Sequence, residues 1–149
     1  MTFETRDLTA APGAVLLVRL GERQFGLPLG SVERVLPMAY VVPVPGTGDG
    51  LMGMLNLHGD VLPVIDPRPR LGVPSPKIAV EHRLVLLKGS APFLIWVDNV
   101  EEVTNVRPDE LSVVPAQQAS PLVPHVLRLG DTVVPLLAPS ALEPRGSLR

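Results

Sequence analysis

Short apolar runs separated by turn residues recur along most of the chain. Two of these runs, at residues 52–57 and 61–65, flank a tip of His58, Gly59 and Asp60, which is the pattern of two antiparallel strands joined by a tight turn. Neither run alternates strictly between apolar and polar residues, so we expect both faces of this hairpin to be covered. Gly59 can adopt a positive φ and Asp60 can hydrogen-bond to the local backbone, so the tip has the residues that a chain reversal requires.

The same kind of pattern predicts three more hairpins, at residues 15–29, 84–97 and 126–137. The intervening segments predict single strands and short helical turns: strands at 40–44 and 100–106, and turns at 31–36, 107–111 and 139–142. Residues 57–65 and 129–137 share one design, in which a Gly-Asp turn is followed by apolar residues and Pro. This repetition indicates two small barrels, although separate hairpins can also converge on a common turn design.

The composition narrows the fold class. With 149 residues, of which 46% are apolar, the chain is long enough for one domain with its own core. The 18 Pro and 13 Gly exclude long helices, so we expect an all-β fold with short helical turns. We expect residues 1–13 to form a flexible N-terminal arm, residues 14–142 the folded domain, and residues 143–149 a C-terminal tail.

Charge and residue usage exclude several function classes. A formal net charge of −2, scattered Lys and Arg residues and an aromatic content of 3% argue against nucleic-acid binding. No run approaches the roughly 18 apolar residues of a membrane span, and the N-terminus lacks the apolar region of a secretory signal. We therefore expect no direct membrane insertion. The lack of cysteine suits the cytoplasm and excludes thiol chemistry.

No motif for catalysis is present, and we expect no cofactor and no metal site. The chain has no Gly-x-Ser-x-Gly elbow, and the Gly-rich segment at 46–50 lacks the Lys and the helix of a phosphate-binding loop. His58, His82 and His125 lie far apart in sequence, and we expect them to be scattered over the surface. These features favour a non-enzymatic role.

The remaining polar and aromatic residues have structural interpretations. We expect Asp60, Asp66 and Asp98 to accept hydrogen bonds from backbone donors at turns and strand ends, and not to act as paired acids. Trp96 lies in an apolar strand and is expected in the core. If it were exposed, it would instead be a natural interface anchor.

The segment at 53–66, GMLNLHGDVLPVID, resembles the signature hairpin of the CheW-like coupling proteins of bacterial chemosensory arrays. In that family the hairpin has a Gly, apolar residues, an Asn-apolar-Arg-Gly tip, and then Pro-Val, an apolar residue and Asp. Asn56 and Gly59 fall in register with this pattern. His58 departs from it, because the family usually has Arg at this position.

The resemblance extends over nearly all of residues 14–142, with Ala138 where Asp or Asn is common. It implies two intertwined five-stranded SH3-like β-barrels and an adaptor that couples methyl-accepting chemoreceptors to a chemotaxis-type histidine kinase. The resemblance implies contacts with the kinase regulatory domain and with the receptor cytoplasmic tip, and it implies no cofactor. It also implies a cytoplasmic protein that is recruited to the inner membrane face through receptor arrays. By match to the family positions, the expected partner-binding residues are Val32, Arg34, Asn56, His58, Gly59 and Val85.

Three alternatives stay open at this point. The same fold serves twitching-pilus and other chemosensory pathways, which the sequence does not separate from flagellar chemotaxis. A small β-barrel ligand-binding protein would need convergent polar groups in a pocket, and the sequence shows none. A structural subunit without a signalling role is the third alternative. The departures at His58 and Ala138 are also compatible with a diverged adaptor that binds one of the two usual partners.

Overall fold

The computed structural model describes residues 13–45, 50–118 and 120–144. Within these ranges the chain forms eleven β-strands, two short α-helices and two 3-10 turns. The strands are β1 (Gly13–Leu20), β2 (Arg23–Pro28), β3 (Val32–Pro37), β4 (Leu51–Leu57), β5 (Asp60–Ile65), β6 (Arg83–Leu87), β7 (Phe93–Val97), β8 (Asn99–Val106), β9 (Leu111–Val113), β10 (His125–Leu129) and β11 (Thr132–Leu136). The helices are α1 (Arg68–Leu71) and α2 (Pro139–Leu142), and the 3-10 turns are Leu29–Ser31 and Pro108–Glu110. The predicted arm and tail lie almost entirely outside the described residues.

The strands form two sheets, which confirms the prediction of a nearly all-β fold. The first sheet has six strands in the order β8-β1-β2-β11-β10-β9, and the second has five in the order β3-β6-β7-β5-β4. The first sheet takes its strands from both ends of the chain, whereas the second is built from the uninterrupted middle. The chain therefore starts in the first sheet, forms the whole second sheet, and then returns to complete the first.

Three hydrophobic cores are present among the described residues. One core lies within the first sheet, one within the second, and the central core joins the two sheets. In β1, Val15 and Leu17 face the core of the first sheet, while Leu16 and Val18 face the central core. The side chains of β6 and β7 alternate in the same way between the core of the second sheet and the central core. This division explains why their sequences are continuously apolar, because both faces of each strand are buried.

Neither sheet is closed by a continuous ladder, but both curl. In the second sheet, the segment that follows β3 returns to the outer edge of β4, where Val42 and Met54 exchange two backbone hydrogen bonds of 2.8 and 2.9 Å. Gly53 makes this approach possible, because a Cβ atom there would lie 2.2 Å from the carbonyl oxygen of Val42. In the first sheet, the edge strands β8 and β9 are consecutive and are linked by the second 3-10 turn.

The C-terminal residues attach the first sheet to the second. Arg70 of α1 donates a hydrogen bond of 2.6 Å to the carbonyl oxygen of Ala141 in α2. The Glu143 carboxylate accepts hydrogen bonds from the backbone N–H and the hydroxyl of Ser90, in the β6–β7 turn. Gly89 leaves the room for this contact, since a Cβ atom there would lie 2.9 Å from the Glu143 carboxyl carbon.

Three local predictions are wrong. The helical turn predicted at 31–36 is β3, because pairing with β6 overrides an apolar spacing that also suits a helix. The strand predicted at 40–44 reduces to the Val42–Met54 bridge, since Pro43 cannot donate a ladder hydrogen bond. Two further elements were not predicted, the strand β9 after residue 111 and the helix α1 after β5. The hairpin is not covered throughout, because Val61 is 60% exposed.

Candidate partner-binding surfaces

The tip of the β4–β5 hairpin is a two-residue turn in which both central residues have positive φ. The φ values are 54° at His58 and 93° at Gly59, as in the primed turns that suit the twist of a hairpin. The Asn56 side-chain oxygen accepts a hydrogen bond of 2.9 Å from the Gly59 N–H. Asn56, and not Asp60, therefore organises the turn. His58 is exposed at its tip.

An exposed apolar surface, the hairpin face, lies beside this tip and consists of Tyr40, Val42, Met54, Val61 and Pro63. Val42 pairs with Met54, which pairs with Pro63 on β5, so the three side chains share one face of the sheet. Tyr40 is 81% exposed, Val42 51% and Val61 60%. Exposed apolar side chains grouped in this way mark an interaction surface.

The edge strand β3 carries the second predicted group. Arg34 is exposed, and Val32 is partly buried against the central core. Val35, opposite Val85 of β6, is 40% exposed. Val85, which was predicted to contact a partner, is fully buried, so its side chain does not reach the surface of the free protein. Its place in the core supports the strand that presents Arg34.

The six predicted residues therefore do not form one site. In the hydrogen-bonding order of the second sheet, β3 is one edge strand and the hairpin tip joins β5 and β4, the two strands at the other edge, with β6 and β7 between them. Asn56, His58 and Gly59 lie together at the tip, while Val32 and Arg34 lie together on β3. The predicted residues thus fall into two groups on the second sheet, and the segment after β3 returns to the edge of the hairpin through the Val42–Met54 bridge.

A buried ionic cluster was not anticipated from the sequence. Arg68 of α1 is fully buried, and its guanidinium lies 2.9 Å from an Asp66 carboxylate oxygen and 2.7 Å from Oδ1 of Asp98. It also stacks 4.1 Å above the ring of Trp96, and the Ser75 hydroxyl donates to Asp66. The Asp66-x-Arg68 spacing was the only local signal, because Asp98 lies 30 residues away. The prediction that Asp66 and Asp98 accept backbone donors is correct but incomplete.

Two of the three histidines are buried, so the expectation of scattered surface histidines is wrong. His82 is 7% exposed and His125 is 6% exposed. The Trp96 indole donates to Nδ1 of His82, which confirms the core position of Trp96. These histidines belong to strands and turns whose burial is set by long-range packing.

Burial and hydrogen bonding shift the pKa of Asp98 in the ionic cluster, and burial shifts the pKa of His125 on β10. Burial acts to raise the pKa of Asp98, but hydrogen bonds from Arg68 and from the Gly21 N–H lower it, and the net pKa lies below its ordinary value of 3.8. Burial alone lowers the pKa of His125 below its ordinary value of 6.5. Both groups are thereby held in the forms that the fold accommodates, the Asp98 carboxylate and the neutral His125 imidazole.

The described part of the chain holds no group of three or more His, Cys, Asp or Glu residues that could bind a metal ion. In the same ranges, no helix has both the length and the apolar content to cross a membrane.

The chain matches the family model of the CheW-like domain over residues 14–144. It belongs to the CheW-like domain family. Among curated members, it is 24% identical over 116 residues to Chemotaxis protein CheW of Rhizobium meliloti (strain 1021), covering 77% of this chain and 75% of the relative. It is 26% identical over 102 residues to Chemotaxis protein CheW of Bacillus subtilis (strain 168), covering 68% of this chain and 65% of the relative.

A solved structure has the same fold. The scaffolding protein TtCheW from Thermoanaerobacter tengcongensis matches this CheW-like domain with a TM-score of 0.82 at 21% sequence identity, covering 91% of this chain and 95% of the other. The family resemblance carried by the 53–66 hairpin and the expected SH3-like fold are both confirmed.

Proposed function

We propose that this chain is a non-enzymatic adaptor that couples methyl-accepting chemoreceptors to a chemotaxis-type histidine kinase. The observation that carries the proposal is the family match, which spans residues 14–144. The names of the relatives support it, since they are chemotaxis proteins and a scaffolding protein. The adaptor is cytoplasmic and reaches the inner membrane face through receptor arrays.

The hairpin face is the proposed docking surface for the regulatory domain of the kinase. Its most exposed members, Tyr40 and Val61, are 81% and 60% accessible to solvent. An aromatic anchor beside smaller apolar side chains is the usual centre of a protein–protein contact. His58 lies at the rim of this surface, where a charged residue changes the association rate and adds a modest amount of affinity.

The β3 edge is the proposed contact for the cytoplasmic tip of the receptor. It combines Arg34, Glu33 and the 40% exposed Val35 on one edge strand of the second sheet. A mixed polar and apolar surface of this kind suits a helical partner that offers both charged and apolar side chains. The β3 edge and the hairpin face consist of different residues, so one chain offers a contact to each of the two proteins.

Affinity capture of the tagged protein from its own cell lysate, with the retained proteins identified by mass spectrometry, tests the proposal. We expect a histidine kinase and a methyl-accepting receptor together, and the receptor identifies the pathway, flagellar, twitching or other. Recovery of the kinase alone would indicate an adaptor that binds one partner. Recovery of neither, while a known array component is captured in parallel, would remove the coupling role and favour a ligand-binding protein.

Two surface variants sharpen this experiment. Tyr40→Ser with Val61→Ser removes the apolar character of the hairpin face, and we expect it to lose the kinase while retaining the receptor. Arg34→Glu on β3 is the matched variant on the other surface, and we expect the reverse. Both changes are at exposed positions, so the fold is expected to tolerate them.

A further inference from the structure

The chain passes from the second sheet to the first through a single residue. β7 ends at Val97 and β8 begins at Asn99, so Asp98 alone links the two strands. Its backbone N–H donates a hydrogen bond of 2.9 Å to the carbonyl oxygen of Arg19 on β1. Asp98 is therefore both a covalent and a hydrogen-bonded link between the two sheets.

The side chain of Asp98 is held from both sheets. From the first sheet, the N–H of Gly21 in the β1–β2 turn donates to Oδ1 over 2.8 Å. From the second, the Arg68 guanidinium donates to the same oxygen through Nε at 3.3 Å and NH2 at 2.7 Å. One carboxylate oxygen thus accepts hydrogen bonds from both sheets.

Arg68 is fixed in turn by the second sheet. Its NH1 and its backbone N–H donate to Oδ1 of Asp66, at the end of β5, over 2.9 and 3.0 Å. Its guanidinium lies 4.1 Å above the Trp96 ring on β7. A planar fork of donors is needed to bind two carboxylates while stacking on an aromatic ring, and a lysine ammonium does not provide it.

We propose that Arg68 is a positioning residue that sets the relative orientation of the two sheets through Asp98, and thereby the geometry in which the adaptor couples its two partners. The second part of this inference rests on the proposed function. Arg68 is fully buried and touches neither proposed docking surface, so it acts through the fold and not through contact with a partner. Coupling between bound proteins is carried by such rigid connections.

The inter-sheet orientation can be measured directly in the free protein. The chain has no cysteine, so pairs of introduced cysteines can carry spin labels for pulsed EPR distance measurements. Exposed positions Val61 on β5 and Val133 on β11 report on the distance between sheets. Glu102 on β8 with Val133 reports on a distance within the first sheet and is the internal control.

We expect Arg68→Lys to broaden or shift the inter-sheet distance distribution and to leave the distribution within the first sheet unchanged. Asp98→Asn is the second variant, because it keeps the shape of the side chain and an acceptor for the Gly21 N–H while removing the charge. Glu101→Gln is the matched control, since it breaks the 2.8 Å ion pair to Arg19 that lies within the first sheet alone. Wild-type distances in both Arg68→Lys and Asp98→Asn would overturn the inference.

Partner binding separates a positioning role from a purely structural one. For Arg68→Lys we expect the dissociation constants for the isolated kinase regulatory domain and for a receptor fragment to stay within about twofold of wild type, because the buried Arg68 side chain is part of neither contact surface. We expect receptor-dependent stimulation of the kinase to fall by about tenfold, within the usual range of coupling between sites. Altered distances with unchanged stimulation would overturn the positioning role. If the wild-type protein binds neither partner, the proposed function fails, while the EPR distances still decide whether Arg68 orients the sheets.

Discussion

The indole N–H of Trp96 donates a hydrogen bond of 2.9 Å to Nδ1 of His82, and both side chains are buried. Nδ1 also accepts a hydrogen bond of 3.2 Å from the Ala79 N–H, so it is the unprotonated nitrogen of the ring. This places the ring proton on Nε2, which lies 3.9 Å from Oδ2 of Asp98. The pair joins the loop before β6 to the core of the second sheet.

Replacing His82 with Phe removes this acceptor while keeping an aromatic ring. We expect the free energy of unfolding to fall by about 1–3 kcal/mol, because the indole N–H stays buried without a partner. Urea unfolding followed by circular dichroism measures the change. Trp96→Phe with His82→Phe is the control, and we expect the double variant to be more stable than the sum of the single changes implies. Additive losses would contradict the hydrogen bond.

Replacing Arg68 with Met removes a buried cation and leaves two carboxylates that faced it. We expect a loss of about 3–5 kcal/mol in the free energy of unfolding, the usual cost of breaking a buried ion pair by removing one partner. Arg107→Met is the matched control, because Arg107 pairs with Asp109 at the surface, where side-chain exposure is 68% and 67%. We expect no measurable change in this control. A similar effect of both substitutions would contradict the special role of burial.

The stability of the fold should depend on pH in two separate windows. The pKa of His125 is lowered in the folded state by burial, so the unfolded chain takes up the proton first and stability declines as pH falls below about 6.5. The pKa of Asp98 is also lowered, so its contribution is complete above about 3.8 and is lost as pH falls through its folded value. Urea midpoints measured against pH should flatten in the upper window for His125→Gln and in the lower window for Asp98→Asn. An unchanged profile in either variant would contradict that assignment.

Adding a methyl group at Gly53 should disrupt the bridge that curls the second sheet. An alanine Cβ would lie 2.2 Å from the Val42 carbonyl oxygen and 2.8 Å from a Val41 methyl group, so the 38–45 segment has to move. We expect Gly53→Ala to cost about 1–3 kcal/mol, as overpacking usually does, and faster amide exchange at Val42 and Met54. Gly59→Ala is the control for backbone strain, since φ is also positive there, at 93°, but no atom lies within 4 Å of a Cβ. We expect that variant to leave exchange at the bridge unchanged.

Restoring the family residue at the hairpin tip should strengthen partner capture. His58 is exposed at a positive φ of 54°, so Arg fits without a clash in the core. We expect His58→Arg to raise affinity for the kinase domain or the receptor fragment by roughly two- to fivefold, the effect of one exposed ion pair. Isothermal titration calorimetry measures both affinities. An unchanged affinity for both partners would show that the tip is outside the interfaces, with no consequence for the fold.

Local sequence patterns were sufficient for the hairpins but not for the residues that connect them. The β4–β5 hairpin was predictable because its turn and its apolar runs lie within fifteen consecutive residues, 51–65. The assignment of residues 32–37 was wrong because their conformation depends on β6, some fifty residues later along the chain. The ionic cluster was missed for the same reason, since Arg68 meets Asp98 only after the strands β6 and β7 are in place.

The candidate surfaces also depend on contacts between residues that are distant in the sequence, which local patterns do not predict. A family pattern located the hairpin tip and β3, which belong to opposite edges of the second sheet in its hydrogen-bonding order. The hairpin face was not predictable, because Tyr40 and Val42 join Val61 only through the Val42–Met54 bridge. Val85 was chosen by family position, and its complete burial follows from its side chain facing the central core.

Reconstituted kinase autophosphorylation tests the central claim most directly. The purified kinase, a receptor cytoplasmic fragment and this protein are combined in all pairs and all together, and phosphate incorporation is measured. The account predicts that the receptor changes kinase activity strongly only when this protein is present, and that the variant with Tyr40→Ser and Val61→Ser abolishes the effect. A receptor effect of the same size with and without the protein would contradict the coupling function.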